Sequence, residues 1–288
     1  MRRITPALAA VGAALLVGVA GCTSQTSADE TVGTVQTVQK ASAAIQVLQA
    51  SARKAAEVTS YRADLAVKLT GTQEGSGTVQ GTVAFQQRPE LITDLSLDKV
   101  NFDGLEVPGG LRMIMQDRTM YLRMDLLKTL LGVTKPWVRI DLDKAGEQSG
   151  VDVDQLLDQA RRVDLQTSVK MLTSSADARA VGTETVGGVE TTRYTGTFKA
   201  EDAVRLFEPE MQEKVRQNLY AAESMTFDIW VDQENLPRKL TMTGDADGGK
   251  VDVTMTFSDF NEPVKVKIPP ASQVGELPRT GAGRGQGD

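Results

Sequence analysis

Hydrophobic positions follow two different periods along the chain. In residues 36–59 the apolar residues recur at spacings of three and four, which predicts one amphipathic helix. After that helix, apolar and polar residues alternate, as Leu65, Val67 and Leu69 do with their polar neighbours. Alternation with a period of two is typical of a strand that buries one face and leaves the other in water. The change of period therefore predicts a helix followed by an antiparallel meander.

The same alternation recurs as far as residue 257 and is interrupted twice by helical spacing. Helical spacing returns over residues 153–172 and again over 201–222, where Pro209 restarts the helix. The glycine pair Gly187-Gly188 supplies the positive φ angles of a two-residue turn, so a hairpin is expected there. The predicted strands are 64–70, 79–85, 91–98, 113–115, 120–124, 137–142, 181–186, 189–198, 225–231, 239–243 and 251–257.

Together these elements predict an α+β fold. Its main part is one large antiparallel sheet of about ten or eleven strands, with helices after the first six strands and again before the last three. A sheet of this size curves because neighbouring strands are twisted against one another. Helices packed on the concave side would leave an apolar volume between the two layers. Ten methionines fit either a cavity of variable contents or ordinary gap filling in a core, and both readings stay open.

The first 22 residues predict export and a lipid anchor. Arg2 and Arg3 precede an uncharged run over residues 7–20, which is too short to favour a membrane span. The sequence Val-Ala-Gly-Cys at 19–22 then resembles the lipobox of bacterial lipoproteins. An ordinary export signal with a chance cysteine is the alternative. We expect a signal peptide at 1–21, a lipidated Cys22 that anchors the protein to the outer face of the cell membrane, and a flexible tether over 22–35.

The domain organisation follows from these segments. Residues 36–270 are expected to form a single folded domain, and residues 271–288 a disordered Gly/Arg-rich tail.

Composition excludes most familiar catalytic chemistry. The chain has no histidine and one cysteine, which excludes histidine-based triads, imidazole zinc sites, disulfides within the chain and iron–sulfur clusters. The net charge of −6 argues against nucleic acid as a partner. Carboxylate pairs at 141/143, 152/154 and 245/247 could suggest a hydrolase or calcium ligands, but such pairs usually lie on a solvated face. We expect no enzyme activity, no metal and no cofactor.

Several short motifs, taken in order, resemble one family. They are Tyr-Arg-Ala at 61–63, Lys-Pro-Trp-Val at 135–138, Val-Gly-Gly-Val at 186–189 with Tyr-Thr-Gly at 194–196, Phe-Asp-Ile-Trp-Val-Asp at 227–232 with Pro-Arg at 237–238, and Phe-Ser-Asp-Phe at 257–260 with Pro-Val at 263–264. Their order over residues 36–270 is similar to that of the actinobacterial LppX/LprA/LprF/LprG lipoproteins. The resemblance implies a half-barrel sheet like that of LolA and LolB, wrapped around helices, with an apolar cavity for acylated lipids or glycolipids.

The resemblance supplies no catalytic residue, so the candidate site is the inward side of each strand. On the Met225–Val231 strand, Trp230 falls on the side opposite Phe227 and Ile229, so it is expected to pack outside. A loop over residues 103–110 contains three glycines beside the apolar Leu105 and Val107. The loop is either the mouth of the cavity, in contact with the membrane, or an ordinary turn. The predicted ligand-binding residues are Val67, Leu69, Val83, Phe85, Leu95, Met113, Met115, Leu156, Leu157, Met225, Phe227, Met255 and Phe257.

Three classes of function remain open from the sequence. The first is a lipid carrier that binds an acylated lipid or glycolipid and moves it within the cell envelope without covalent chemistry. The second is a sensory or scaffold lipoprotein with a filled core and a protein partner, and the third is a carboxylate-based hydrolase. For a carrier we expect a monomer, held at the membrane by its lipid anchor, with an envelope transporter or acceptor protein as a further partner.

Overall fold

The computed structural model describes residues 28–72, 75–125, 133–150, 152–154, 157, 165–219, 222–246 and 248–276. The predictions for the signal peptide, Cys22, Leu156 and residues 277–288 lie outside these residues. The chain divides into two compact units, residues 1–37 and residues 38–288. In the first unit, the described residues 28–37 are helical. The second unit contains the sheet and is described below.

Helices occupy the places that the apolar spacing predicts, but the first is longer than expected and one, Leu142–Ser149, was not predicted. The first begins at Ala28, within the predicted tether, and its buried face includes Leu48 and Ala55 at a spacing of seven residues. The helices of the described residues are α1 (Ala28–Glu57), α2 (Leu142–Ser149), α3 (Leu165–Leu172), α4 (Ala200–Val204) and α5 (Pro209–Asn218). Within the described part of the chain, no helix is long and apolar enough to be a membrane span.

All eleven predicted strands are present, and the described residues form one sheet of thirteen. The strands are β1 (Ser60–Thr72), β2 (Gly75–Gln86), β3 (Ile92–Phe102), β4 (Leu105–Glu106), β5 (Leu111–Gln116), β6 (Thr119–Met124), β7 (Trp137–Asp141), β8 (Arg179–Val186), β9 (Val189–Lys199), β10 (Ser224–Asp232), β11 (Pro237–Ala246), β12 (Gly249–Ser258) and β13 (Val274–Glu276). Their order is β13-β7-β6-β5-β3-β2-β1-β12-β11-β10-β9-β8, with β4 paired to β3. The sheet is open, because its two end strands, β13 and β8, do not pair with each other.

Two strands were not predicted, and one of them changes the description of the sheet. β4 has two residues and β13 has three, so neither is long enough to show alternation. β13 runs parallel to β7, which makes the sheet mixed, whereas the sequence predicts a purely antiparallel one. Residues 271–276, which the sequence places in a disordered tail, form a 3-10 turn (Ala271–Gln273) followed by β13. The predicted Gly187-Gly188 turn is confirmed, with both glycines at positive φ between β8 and β9.

The helices define two faces of the sheet. Side chains from β1 and from β9 to β12 pack with α1, α3, α4 and α5 in the main cluster of buried residues. We call the face that points to these helices the inner face and the opposite one the outer face. On the outer face, Ala84 and Ile92 are buried by Val264 and Val266, from the segment that connects β12 to β13.

Candidate functional site

The pairing register places all eleven nominated strand residues on the inner face. Directly paired residues of neighbouring antiparallel strands point to the same side. Leu95 pairs with Val83 on one side and with Met113 on the other, and Val83 pairs with Ala63, which pairs with Phe257. Pairing and alternation extend this face to the rest of the set, which is Val67, Leu69, Phe85, Met115, Met225, Phe227 and Met255.

Seven of these residues take part in the main core. Met225, Phe227 and Phe257 are fully buried members of the cluster. The Phe227 ring lies 6.2 Å from that of Phe198, measured between centroids. The residue opposite Phe227 is Gly196, where an added Cβ would come within 2.9 Å of the ring. The other four are partly buried and pack against the cluster; they are Val67, Leu69, Val83 and Met255.

A second, smaller cluster includes three further nominated residues. Leu157 is buried there, and Phe85 and Met115 pack against it. The other buried members are Leu91, Leu142 and Val153, so the start of α2 and the segment after it cover this end of the sheet. Leu156 lies outside the described residues.

Farther along β5 and β6 from the second cluster lies an apolar surface that the described residues leave partly uncovered. Leu95 and Met113, the last two nominated residues, pair with each other, and Met113 also pairs with Leu122. One step along the same strands, Leu97 pairs with Leu111, which pairs with Met124. We call these six residues the open strip. Each remains partly exposed, and none belongs to a cluster of buried residues within the described part of the chain.

Four residues of the open strip were not nominated from the sequence: Leu97, Leu111, Leu122 and Met124. The signal that could have found them is alternation, because Leu97 follows Leu95 by two residues and Leu111 precedes Met113 by two. The strip is therefore an extension of the predicted site along the same strands.

On the outer face of the same strands, two arginines are held by neighbouring side chains. Arg112 donates two hydrogen bonds to the Asp94 carboxylate, at 3.1 and 2.9 Å, which raises the pKa of Arg112. Arg123 stacks on Trp137, with the guanidinium carbon 5.5 Å from the ring centroid. On these three strands, the inner side is the one that favours contact with an apolar molecule.

Trp230 lies on the outer face, as its strand parity predicts. Its indole Nε1 donates a 2.9 Å hydrogen bond to Glu184, and Arg193 and Lys239 lie over its ring at 5.2 and 4.5 Å from the centroid. The hydrogen bonds from Trp230 and Arg193 lower the pKa of Glu184. These contacts fix the orientation of β10, whose other side supplies Phe227 to the core.

Three of the paired carboxylates, Asp141, Asp143 and Asp154, have local partners in the structure. Asp141 accepts a hydrogen bond from the Lys144 amide at the start of α2. Arg118 binds Asp143 and Asp154, and its hydrogen bonds lower the pKa of Asp143. Asp247 lies outside the described residues. Among the residues that the structure describes, no cluster of three or more acidic or thiol ligands could hold a metal ion.

The loop over residues 103–110 forms an exposed apolar tip next to the open strip. β4 pairs with the end of β3 in this loop, and Leu105 is 77% exposed while Phe102 is 42% exposed. Phe102 pairs with Gly77, and an added Cβ on that glycine would come within 2.8 Å of the Phe102 ring. The loop leads directly into Leu111, the first residue of β5. The tip and the open strip are therefore neighbours along the chain.

Two grooves lie on the other side of the sheet. One, of about 360 Å³, is lined mainly by polar outer-face residues such as Gln80, Thr82 and Thr256. Another, of about 400 Å³, lies between Tyr121 and Arg139 and the segment before β13, including Ile268 and Pro269. Neither groove shares a residue with the open strip, so they do not contribute to the candidate site.

Comparison with known proteins gives a family match over most of the chain. The model of the LppX_LprAFG lipoprotein family matches residues 41–266. An uncharacterized 31.2 kDa protein from the rplA-rplJ intergenic region of Streptomyces griseus is 31% identical over 145 residues, which is 49% of this chain and 48% of that protein. The chain spans about half the length of the curated relatives it matches, at 48% and 45%.

Two solved structures are similar at low sequence identity. LprF from Mycobacterium bovis is 17% identical with a TM-score of 0.49, over 78% of this chain and 96% of that one. The Mycobacterium tuberculosis lipoprotein LppX is also 17% identical, with a TM-score of 0.45, over 78% of this chain and 98% of that one.

Proposed function

The chain belongs to the LppX_LprAFG lipoprotein family, and from this premise we propose that it binds an acylated lipid or glycolipid on its inner face and carries it within the cell envelope. The open strip is the observation that carries the proposal. Six apolar side chains on three neighbouring strands remain partly exposed there, beside a core that is otherwise closely packed. A contiguous apolar surface of this kind favours binding of an apolar ligand.

The energetic basis is desorption of the lipid from its membrane. Each methylene that leaves the bilayer for water costs about 0.8 kcal/mol, so a sixteen-carbon chain faces a cost above roughly 10 kcal/mol. A strip of leucine and methionine side chains replaces part of the lost apolar contact and lowers this cost. Unbranched methionines such as Met113 and Met124 adapt to acyl chains of different shape. No bond is made or broken in this process.

A second candidate is a sensory or scaffold lipoprotein with a protein partner. The packing of Met225, Phe227 and Phe257 in the main core favours it. These residues were nominated as cavity lining, but they are buried against other side chains of the protein. The two proposals differ at the open strip. A carrier needs the open strip to bind its lipid. The function of a scaffold with a filled core does not depend on lipid, so changes to the open strip should leave that function intact.

We further propose that Cys22 is the acylated residue and that it holds the protein on the outer face of the cell membrane. The lipoprotein family and the lipobox-like sequence at 19–22 support this anchor. Two or three acyl chains give stable anchoring without a membrane-spanning helix. In this position the protein exchanges lipid with its own membrane and with an acceptor protein or transporter.

The exposed tip at Leu105 gives a test of lipid transfer. Changing Leu105 to aspartate is expected to slow the movement of a pyrene-labelled diacyl lipid from vesicles that hold the anchored protein to acceptor vesicles by about fivefold or more. The reason is that a leucine with 77% exposure would enter the bilayer surface when cargo passes, and a carboxylate would have to be desolvated there.

The amount of lipid bound per protein at equilibrium should not change in this variant, because Leu105 is outside the open strip. Val181 provides the matched control, being 53% exposed on β8 at the far edge of the sheet. Val181→Asp should transfer lipid at the wild-type rate. Equal rates in the Leu105 variant and the wild type would show that the tip takes no part in transfer.

A further inference from the structure

The open strip has two unlike ends, and the first is closed. At the turn between β5 and β6 the inner side continues by one step beyond the strip, where Met115 follows Met113 and pairs with Met120. Both Met115 and Met120 pack against the second cluster, whose buried members include Leu142 and Leu157. In this direction the apolar surface therefore ends against side chains of the protein itself.

The other end is open and leads to the exposed tip. Beyond the open strip, the next inward residue of β3 is Val100, since it pairs with Val79, which pairs with Val67 of the inner face. Phe102 follows on the same side and is 42% exposed. Neither Val100 nor Phe102 belongs to a cluster of buried residues in the described part of the chain. This end continues into the loop over residues 103–110.

The distance between the two ends fits one acyl chain. Four residues separate Met115 from Leu111 on β5, which is about 13 Å of strand. The two leaflets of a bilayer share a hydrocarbon core of about 30 Å, so one leaflet contributes about 15 Å. An acyl chain of this length that begins at the second cluster would reach the first residue of β5, where the loop over residues 103–110 joins the strand.

The cover over the closed end is held by the turn between β5 and β6. The Leu142 amide donates a 2.9 Å hydrogen bond to the Arg118 carbonyl. The Arg118 guanidinium donates hydrogen bonds to Asp143 and Asp154, at 2.8 and 2.6 Å. These charged groups neutralise one another, and the cluster beside them is apolar. The closed end therefore favours contact with hydrocarbon.

We propose that the bound lipid lies with the terminal methyl group of an acyl chain against Met115 and Met120 and with its polar head at the loop over residues 103–110. This inference rests on the proposed function and defines its ligand class by the tail. Burying a polar group against an apolar cluster is costly, whereas the loop end is open to water. The site therefore requires an unsubstituted tail end and accepts headgroups of different size, including the sugars of a glycolipid.

A lipid with polar tail ends tests this orientation. Dipalmitoylphosphatidylcholine and an analogue with a hydroxyl on the last carbon of both chains compete for the delipidated full chain in detergent. The bound lipids are then measured by mass spectrometry. The wild type is expected to prefer the unsubstituted lipid by about tenfold, because the analogue would bury an unpaired hydroxyl at the second cluster.

A glutamine at the closed end should reduce this preference. Met115→Gln is expected to lower it to about threefold or less, because the amide supplies a hydrogen-bond partner for the hydroxyl. Met124→Gln is the matched control, since Met124 pairs with Leu111 at the end of the strip next to the loop. The control should weaken the binding of both lipids to the same extent, so that their ratio stays that of the wild type.

Photo-crosslinking of the wild type locates the tail end without any variant. A phosphatidylcholine with a diazirine at the end of each chain is expected to attach to residues at the closed end, such as Met120 and Leu142. Attachment at Leu111 or in the loop over residues 103–110 would mean that the lipid lies in the opposite direction, and it would overturn the proposal.

The other outcomes distinguish this inference from the proposed function. Equal binding of the two lipids by the wild type would overturn the orientation and leave the carrier proposal intact. The same holds for a tenfold preference that persists in folded Met115→Gln, or for one that falls only in Met124→Gln. A wild-type protein that binds neither lipid would overturn both proposals.

Discussion

Replacing Leu95 and Met113 together with tryptophan is expected to reduce the lipid bound per protein at least tenfold while the protein remains folded. The two residues pair directly on β3 and β5, in the middle of the open strip. Both are partly exposed, so two indole rings can extend over the strip without displacing the buried clusters. They would occupy the apolar surface that an acyl chain uses. The measurement is the amount of non-covalently bound lipid after solvent extraction of the purified full chain.

The matched control puts the same side chain on the other face. Thr82 is next to Val83 on β2, but it is exposed on the outer face beside the groove of about 360 Å³. Thr82→Trp should bind the wild-type amount of lipid. Circular dichroism and thermal unfolding of all three proteins establish that the fold is retained. Wild-type lipid levels in the Leu95/Met113 double variant would mean that the open strip is not the lipid-binding surface.

Truncation of Phe227 to alanine is expected to cost about 3–5 kcal/mol of unfolding free energy, a loss typical of large aromatic residues in a core. Phe227 is 1% exposed, packs near Phe198 and fills the space that Gly196 leaves on the neighbouring strand. Its removal leaves a cavity that this tightly packed region cannot close. Urea unfolding followed by circular dichroism measures the change, with the slope of the transition compared between the two proteins.

The comparison variant is Met113→Ala. Met113 was nominated on the same grounds as Phe227, but it is partly exposed and contributes to no buried cluster of the described residues. Its truncation should cost less than about 1 kcal/mol, because little buried contact is lost. Similar losses in the two variants would contradict the division of the nominated residues into core and open strip.

Side-chain alternation was sufficient to predict which side of the sheet each strand residue takes. One bulge reverses the parity of the residues beyond it, so the prediction depended on where the register shifts lie. On β10 the shift falls between Trp230 and Val231, after Phe227 and Trp230. On β2 and β3 it falls between Gln80 and Gly81, before Val83. The nominated residues thus lie on uninterrupted stretches of alternation.

The division between core and open strip could not be predicted from strand patterns. Phe227 and Met113 have the same local pattern, and only the helices packed over β10 distinguish them. That packing joins α1 to β10, which is more than a hundred residues later in the sequence, and no local period encodes such a contact. β4 and β13 were missed for a different reason, since two or three residues cannot show a period.

Lipid binding by the protein itself is the central claim, and native mass spectrometry of the full chain tests it most directly. The protein is purified in detergent from an actinobacterial host and released from the micelle in the gas phase. We expect a folded monomer that carries at least one non-covalent lipid, which dissociates on activation and is identified by fragmentation as an ester-linked acyl lipid or glycolipid. Folded protein without any bound lipid, both as purified and after incubation with dipalmitoylphosphatidylcholine, would contradict the account.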